Sequence, residues 1–229
     1  MYSSPMSHKP LPSEFLQYLA AHQNGHADPD RLPSLGELSA EIGISISKLR
    51  EQMEAARHLG LVEARPRTGL RRKPYTFSVT SSLLYAVALN PDNFHAFSEL
   101  RNQIEAAFWS EAVQALTPAG HAELQTLIAQ AWEKLNGTPV RIPHPEHRRL
   151  HLTIFSRLEN PFVRGLLEAY WEAYEAVELD SYADYSYLRE VWDYHQRMVE
   201  AIVQGDIEVS RQTFIEHTCL LHHRPAAND

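Results

Sequence analysis

One cysteine, Cys219, is all that the sequence holds. An intramolecular disulfide and any multi-cysteine zinc module are thereby excluded, so a bound metal would have nitrogen and oxygen ligands. Nowhere do about 18 apolar residues run together, and no membrane partner is expected. The first residues lack the basic, apolar and small-residue order of a secretory signal, which makes the cytoplasm the expected location. Positive charge is scarce too: 21 Lys and Arg stand against 29 Asp and Glu, for a net charge of −8. Taken whole, that balance argues against nucleic acid, because phosphate binding needs a positive surface.

What is present is unevenly placed. Residues 46–75 carry Lys48, Arg50, Arg57, Arg65, Arg67, Arg71, Arg72 and Lys73 against Glu51, Glu54 and Glu63, a local charge of +5 that leaves the remainder at −13. A basic stretch in an acidic chain is expected when one module meets phosphates and the other does something else. A solvated charged face would show the same excess, so the order of elements around it has to decide.

That order is informative. A helix is expected over Leu11–Ala21, closed by Gly25, His26 and the Asp28-Pro29-Asp30 turn. A short helix follows over Leu35–Ile42, then a turn at Gly43 and a second helix that Ser45 or Ser47 can cap. Two short helices about a glycine turn make a helix-turn-helix. On the second, Leu49, Met53 and Ala56 fall inward, while Ser47, Lys48, Arg50, Glu51 and Glu54 fall outward. Leu59-Gly60-Leu61-Val62-Glu63 then predicts a helix stop and a strand, Arg65-Pro66-Arg67-Thr68-Gly69 a turn, and residues 70–79 a returning strand. A hairpin with a basic turn directly after a helix-turn-helix is a wing, whose arginines reach phosphates or a minor groove.

From Ser81 onward the pattern is helical, with breaks at Asn90-Pro91, Thr117–Gly120, Asn136–Pro139, Asn160-Pro161, residues 180–186 and Gly205-Asp206 that mark out about six helices. The fold class is therefore mainly α: an N-terminal winged helix-turn-helix over 1–79 and a C-terminal all-α helical bundle over 80–229, with Thr76–Ser82 as the linker. The aromatic group Tyr170, Trp171, Tyr174, Tyr182, Tyr185, Tyr187 and Trp192 supplies core and pocket wall.

The histidines of the second half carry the chemistry. His147 and His151, four residues apart on one predicted helix, place their imidazoles on one face. His195 and His217 lie on later helices with the Gly205-Asp206 turn midway between them, so an antiparallel hairpin brings them side by side. Four imidazoles from three helices can converge inside a bundle on a metal. Singly, each would be an ordinary surface or hydrogen-bonded histidine; the joint pattern points to a site. Glu146 and His144 are second choices on the same helix. Cys219, His222 and His223 fall at the C-terminal end and are expected to be solvated tail.

The chain resembles the GntR family of bacterial regulators, specifically the FadR-type subfamily with an FCD C-terminal domain. The resemblance is carried by Leu32-Pro33-Ser34, Glu37-Leu38-Ser39, Glu41–Ser45, Leu49-Arg50-Glu51 and Leu59–Glu63. In the second half it rests on Glu99-Leu100-Arg101 with Glu105, on His147–Phe155 with Asn160-Pro161, and on His195, Gly205-Asp206 and His217. It implies a homodimer that binds double-stranded operator DNA through Ser34, Ser45, Ser47, Lys48, Arg50, Arg65, Arg67 and Arg71. It also implies a divalent metal held by an acidic residue and three histidines, with His151, His195 and His217 at the histidine positions. His147 falls where the acidic ligand usually stands, and imidazole there favours zinc, with nickel or copper as the other fits, over manganese. Arg101 and Glu105 are the implied effector residues, Arg101 forking onto a carboxylate; an ordinary intrahelical pair is the plainer possibility. Ile46 departs from the family, which usually has Arg after the serine that begins the recognition helix.

The expected function is ligand-controlled DNA binding, with a small organic acid, the family's most frequent ligand class, as effector. A metal-responsive regulator without an organic effector is the alternative. A metalloenzyme is the weaker alternative, since no obvious general base accompanies the histidines and the N-terminal module would be left without a task.

Overall fold

The computed structural model of the chain describes residues 11–22, 30–65, 69–178 and 185–220. The chain divides into two compact units, Met1–Thr76 and Phe77–Asp229.

In the first unit, helix α1 spans Glu14–Ala21. It begins at Glu14 rather than Leu11 because Ser13 takes the cap position, its hydroxyl accepting the Leu16 N–H at 3.1 Å. Helix α2, Leu35–Ile42, opens on a full capping box: the Glu37 N–H donates to Ser34 Oγ, and the Glu37 carboxylate accepts the Ser34 N–H at 2.8 Å. Gly43 closes it with φ 74°, a left-handed conformation that glycine adopts at no steric cost. Ser45 caps helix α3, Ile46–His58, by accepting the Lys48 N–H. Phe15, Leu38, Leu49, Met53, Ala56 and Val62 form the core beneath these helices.

Strands β1 (Val62–Arg65) and β2 (Gly69–Arg72) pair antiparallel, with Val62 opposite Arg72 and Arg65 opposite Gly69. The returning strand is thus shorter than the expected 70–79. The Lys73 N–H still donates to Leu61 O at 2.9 Å, but Pro74 has no N–H to continue the ladder. Gly25, His26, Asp28, Pro29, Pro66, Arg67 and Thr68 lie outside the described residues.

The second unit is all helical: α4 (Thr80–Leu89), α5 (Asp92–Gln114), α6 (Pro118–Leu135), α7 (His144–Ile154), α8 (Pro161–Glu178), α9 (Tyr185–Gln204) and α10 (Ile207–Leu220). These are seven described helices where about six were expected, separated at the breaks read from the sequence. The expected linker Thr76–Ser82 ends early, because residues from Thr80 onward are helical.

Trp109, Leu124, Leu135, Leu150, Ile154, Met198 and Phe214 lie in one core. Phe94, Tyr170 and Trp171 anchor another, against α4. The buried Trp109 indole stacks on Phe214 at 4.7 Å and donates its N–H to Ser210 Oγ at 2.9 Å, tying α5 to α10. Of the expected aromatic wall, Tyr170, Trp171 and Trp192 are buried, Tyr185 is exposed and donates to Leu135 O, and Tyr182 lies outside the described residues.

Candidate metal centre and nucleic-acid interface

Helix α3 presents Ser47, Lys48 and Arg50 to solvent, opposite its buried Leu49, Met53 and Ala56. Ser34 and Ser45 sit exposed at the starts of α2 and α3, both employed as caps. The hydroxyl of Ser34 also donates to the Glu37 carboxylate at 2.7 Å. Arg65 is exposed at the end of β1 and pairs with Glu63 at 2.8 Å. Arg71 is half-buried and lies 3.9 Å from the Asp30 carboxylate, which leaves it less open than Arg65. Arg67 lies outside the described residues.

Sequence reasoning missed one residue of this surface. Glu14, at the start of α1, receives both the Lys48 ammonium and the Gln52 side-chain amide. Those two hydrogen bonds pull its carboxyl down to about 2, and Lys48 is ion-paired in place. With the partners 34 positions apart in sequence, no local pattern marks the contact.

In the helical unit, the i,i+4 spacing on α7 sets His147 above His151, with ring centroids 5.2 Å apart. Gly205, at φ 80°, turns the chain between α9 and α10, and the Asp206 carboxylate caps the new helix by accepting the Val209 N–H. The hairpin brings His195 and His217 to 4.3 Å. The two pairs meet: His147 is 4.8 Å from His195, and one ligand atom from each of the four histidines lies within 4.8 Å of all the others. His151, His195 and His217 are buried, and His147 is partly so.

Burial holds all four imidazoles well below their ordinary pKa; the Arg101 guanidinium pushes the same way, as do neighbouring imidazoles at His147, His195 and His217. They are neutral, the form with a lone pair to give. His195 Nδ1 and His217 Nδ1 are buried with no hydrogen-bond partner, each costing about 1–3 kcal/mol if left so. Four convergent neutral imidazoles fit a borderline divalent ion such as zinc.

Helix α5 adds Arg101 and Glu105, both buried, with Arg101 Nη2 2.8 Å from Glu105 Oε2. This is no ordinary surface pair. Arg101 Nη2 also lies 2.8 Å from His151 Nδ1, and Glu105 Oε1 lies 3.4 Å from that same nitrogen. His151 Nε2 faces His195 Nε2 at 3.1 Å. Tyr170 and Trp171 of α8 pack on the guanidinium, at 4.7 and 5.5 Å. Burial pushes the Glu105 carboxyl up, to about 7, against the pull of Arg101. Arg101 Nε and the Trp171 indole N–H are buried donors with no acceptor.

The second choices fall elsewhere: Glu146 binds Lys134 at 2.6 Å, and His144 lines an open groove with Arg148 and Glu175. His222 and His223 lie outside the described residues, and Cys219 is exposed. No described helix is long and apolar enough to cross a membrane.

The family model for the FCD domain matches residues 96–218, more than half of the chain. No curated protein matches. Among solved structures, the GntR protein of Streptococcus agalactiae aligns over 90% of this chain and 94% of its own, at 13% identity and a TM-score of 0.68. Lar of Listeria monocytogenes covers 91% and 94% at 17% identity and TM-score 0.49. E. coli McbR/YncC covers 93% and 96% at 19% and 0.47. At such identities the likeness to the first is one of fold.

Proposed function

The chain belongs to the FCD-domain family, and from that premise we propose a GntR-type transcription regulator whose operator affinity answers to a small ligand bound near a divalent metal. Residues 1–79 bind DNA and residues 80–229 bind metal and effector. The observation that carries the reading is the presence, in one chain, of a helix-turn-helix whose second helix exposes Ser47, Lys48 and Arg50 and of a largely buried cluster of four imidazoles.

On the DNA side, Arg50, Lys48, Ser47 and the wing arginine Arg65 meet phosphates and base edges. Ile46, 42% exposed at the first position of α3, offers thymine a methyl contact in place of the guanidinium fork of an arginine. Two such units in a homodimer would address half-sites about one DNA turn apart.

On the ligand side, His147, His151, His195 and His217 hold the ion, with zinc the best fit and nickel or copper next. When bound, the ion supplies a Lewis-acidic point for a carboxylate or water. The unpartnered Arg101 Nε and Trp171 N–H are donors suited to an anion. A ligand that binds one arrangement of the bundle better than another shifts the population of DNA-competent dimers. A metal-responsive regulator without organic effector is the second reading, favoured by the donor count, since four imidazoles complete a tetrahedral site without help.

Capture of fragmented genomic DNA from the source organism at moderate salt tests the proposal. The wild-type chain is expected to enrich one short inverted repeat. Arg50→Ala is expected to lose that enrichment while keeping its metal, and His195→Ala to lose metal while keeping its fold. No enrichment by the wild type, with metal bound, would count against a regulator.

A further inference from the structure

The protons around His151 determine what Arg101 and Glu105 do to the metal centre. A guanidinium has five N–H donors and no acceptor. The 2.8 Å contact between Arg101 Nη2 and His151 Nδ1 therefore requires a lone pair on Nδ1. An imidazole whose Nδ1 accepts a hydrogen bond carries its single proton on Nε2, the atom 3.1 Å from Nε2 of His195. Both contacts are then sound hydrogen bonds, Arg101 to His151 and His151 to His195. His195 carries its own proton on Nδ1, where it is buried without an acceptor. Nε2 is the nitrogen that His151 turns toward His195, and while protonated it has no lone pair to offer an ion.

The other tautomer has its acceptor in place. Glu105 Oε1 lies 3.4 Å from His151 Nδ1 and is buried with no hydrogen-bond donor. With the proton on Nδ1, the ring donates to that oxygen and its Nε2 lone pair is free. One proton leaves Nε2 and one joins Nδ1; the ring stays neutral throughout. A carboxylate that accepts from the outer nitrogen of a ligating histidine is a recurrent means of orienting the ring and raising its basicity.

We propose that Arg101 and Glu105 are opposed positioning residues: Arg101 holds His151 in the tautomer that cannot ligate, and Glu105 stabilises the one that can. An anion that draws Arg101 off Nδ1 thereby strengthens metal binding. By reciprocity, a bound metal releases Arg101 for the anion, and the two ligands couple positively through one nitrogen. The inference rests on the reading of the four histidines as a metal site.

Zinc affinity, measured on the full-length chain by competition with a chromogenic chelator, separates the two residues by sign. Arg101→Met, which removes the donor but keeps an apolar stem over Tyr170, is expected to bind zinc roughly tenfold more tightly. Glu105→Gln is expected to bind it roughly ten- to a hundredfold more weakly, the range for outer partners of ligating histidines. A merely structural role of this buried pair would weaken both variants. Wild-type zinc binding with Arg101→Met no tighter overturns the inference alone, whereas a wild-type chain that takes up no zinc overturns the metal reading and the inference with it. Should either variant fail to fold, imidazole 15N shifts of the metal-free wild type decide the matter: His151 protonated on Nε2 is expected, and His151 protonated on Nδ1 refutes it.

Discussion

At Gly165 helix α8 runs so close to the Phe77 carbonyl that an added Cβ would stand 2.0 Å from its oxygen. The obstacle is backbone, which cannot swing aside as a side-chain tip can. The Phe77 ring also packs edge-on to Phe162 of the same helix, at 5.1 Å. Gly165→Ala is therefore expected to cost about 1–3 kcal/mol, as overpacking does, and to lower the melting temperature by several degrees. Gly36 on α2 is the control: nothing lies within 4 Å of its would-be Cβ, so Gly36→Ala should leave stability unchanged or raise it by up to about 1 kcal/mol through helix propensity. Thermal unfolding followed by circular dichroism checks both, and an unaltered melting temperature for Gly165→Ala would contradict the close approach.

Among the elements, α1 restrains α3. Glu14 holds Lys48 and Gln52 of the recognition helix, so Lys48 must exchange one carboxylate for a phosphate before it can contribute to DNA binding. Glu14→Gln is expected to strengthen binding to non-operator duplex DNA severalfold at low salt and to steepen its salt dependence, since a freed lysine adds about one phosphate contact. Fluorescence anisotropy across a salt series measures this, and unchanged affinity would mean that Lys48 stays off the DNA. The elements themselves were legible in sequence wherever their signals are local. Gly43 marked the end of α2, and of the two serines that could cap the next helix, Ser45 is the one that does. His147 and His151 share a face by spacing alone, and the midpoint turn at Gly205 brought His195 to His217. Contacts between distant segments left no such trace. Arg101 meets His151 across 50 residues, and nothing in either neighbourhood distinguishes that contact from the local pair with Glu105. The early end of β2 was hidden for a related reason: Arg71 and Arg72 suit a strand, but the length of β1 and the missing N–H of Pro74 decide where pairing stops.

On the scale of the whole molecule, the chain joins two units of opposite character, one with its positive charge gathered on a recognition helix and wing, the other acidic with neutral imidazoles in its interior. A ligand that binds only the folded helical unit stabilises it by mass action, by about 2.7 kcal/mol at a free concentration one hundred times its dissociation constant. The converging lone pairs of the four imidazoles are where that energy would enter. Native mass spectrometry of the full-length chain after equilibration with zinc tests this most directly. The account predicts one zinc ion per chain in the wild type and none in a folded chain carrying His195→Ala and His217→Ala. A wild-type chain that takes up no metal, or a variant that keeps it, would contradict the four-histidine centre.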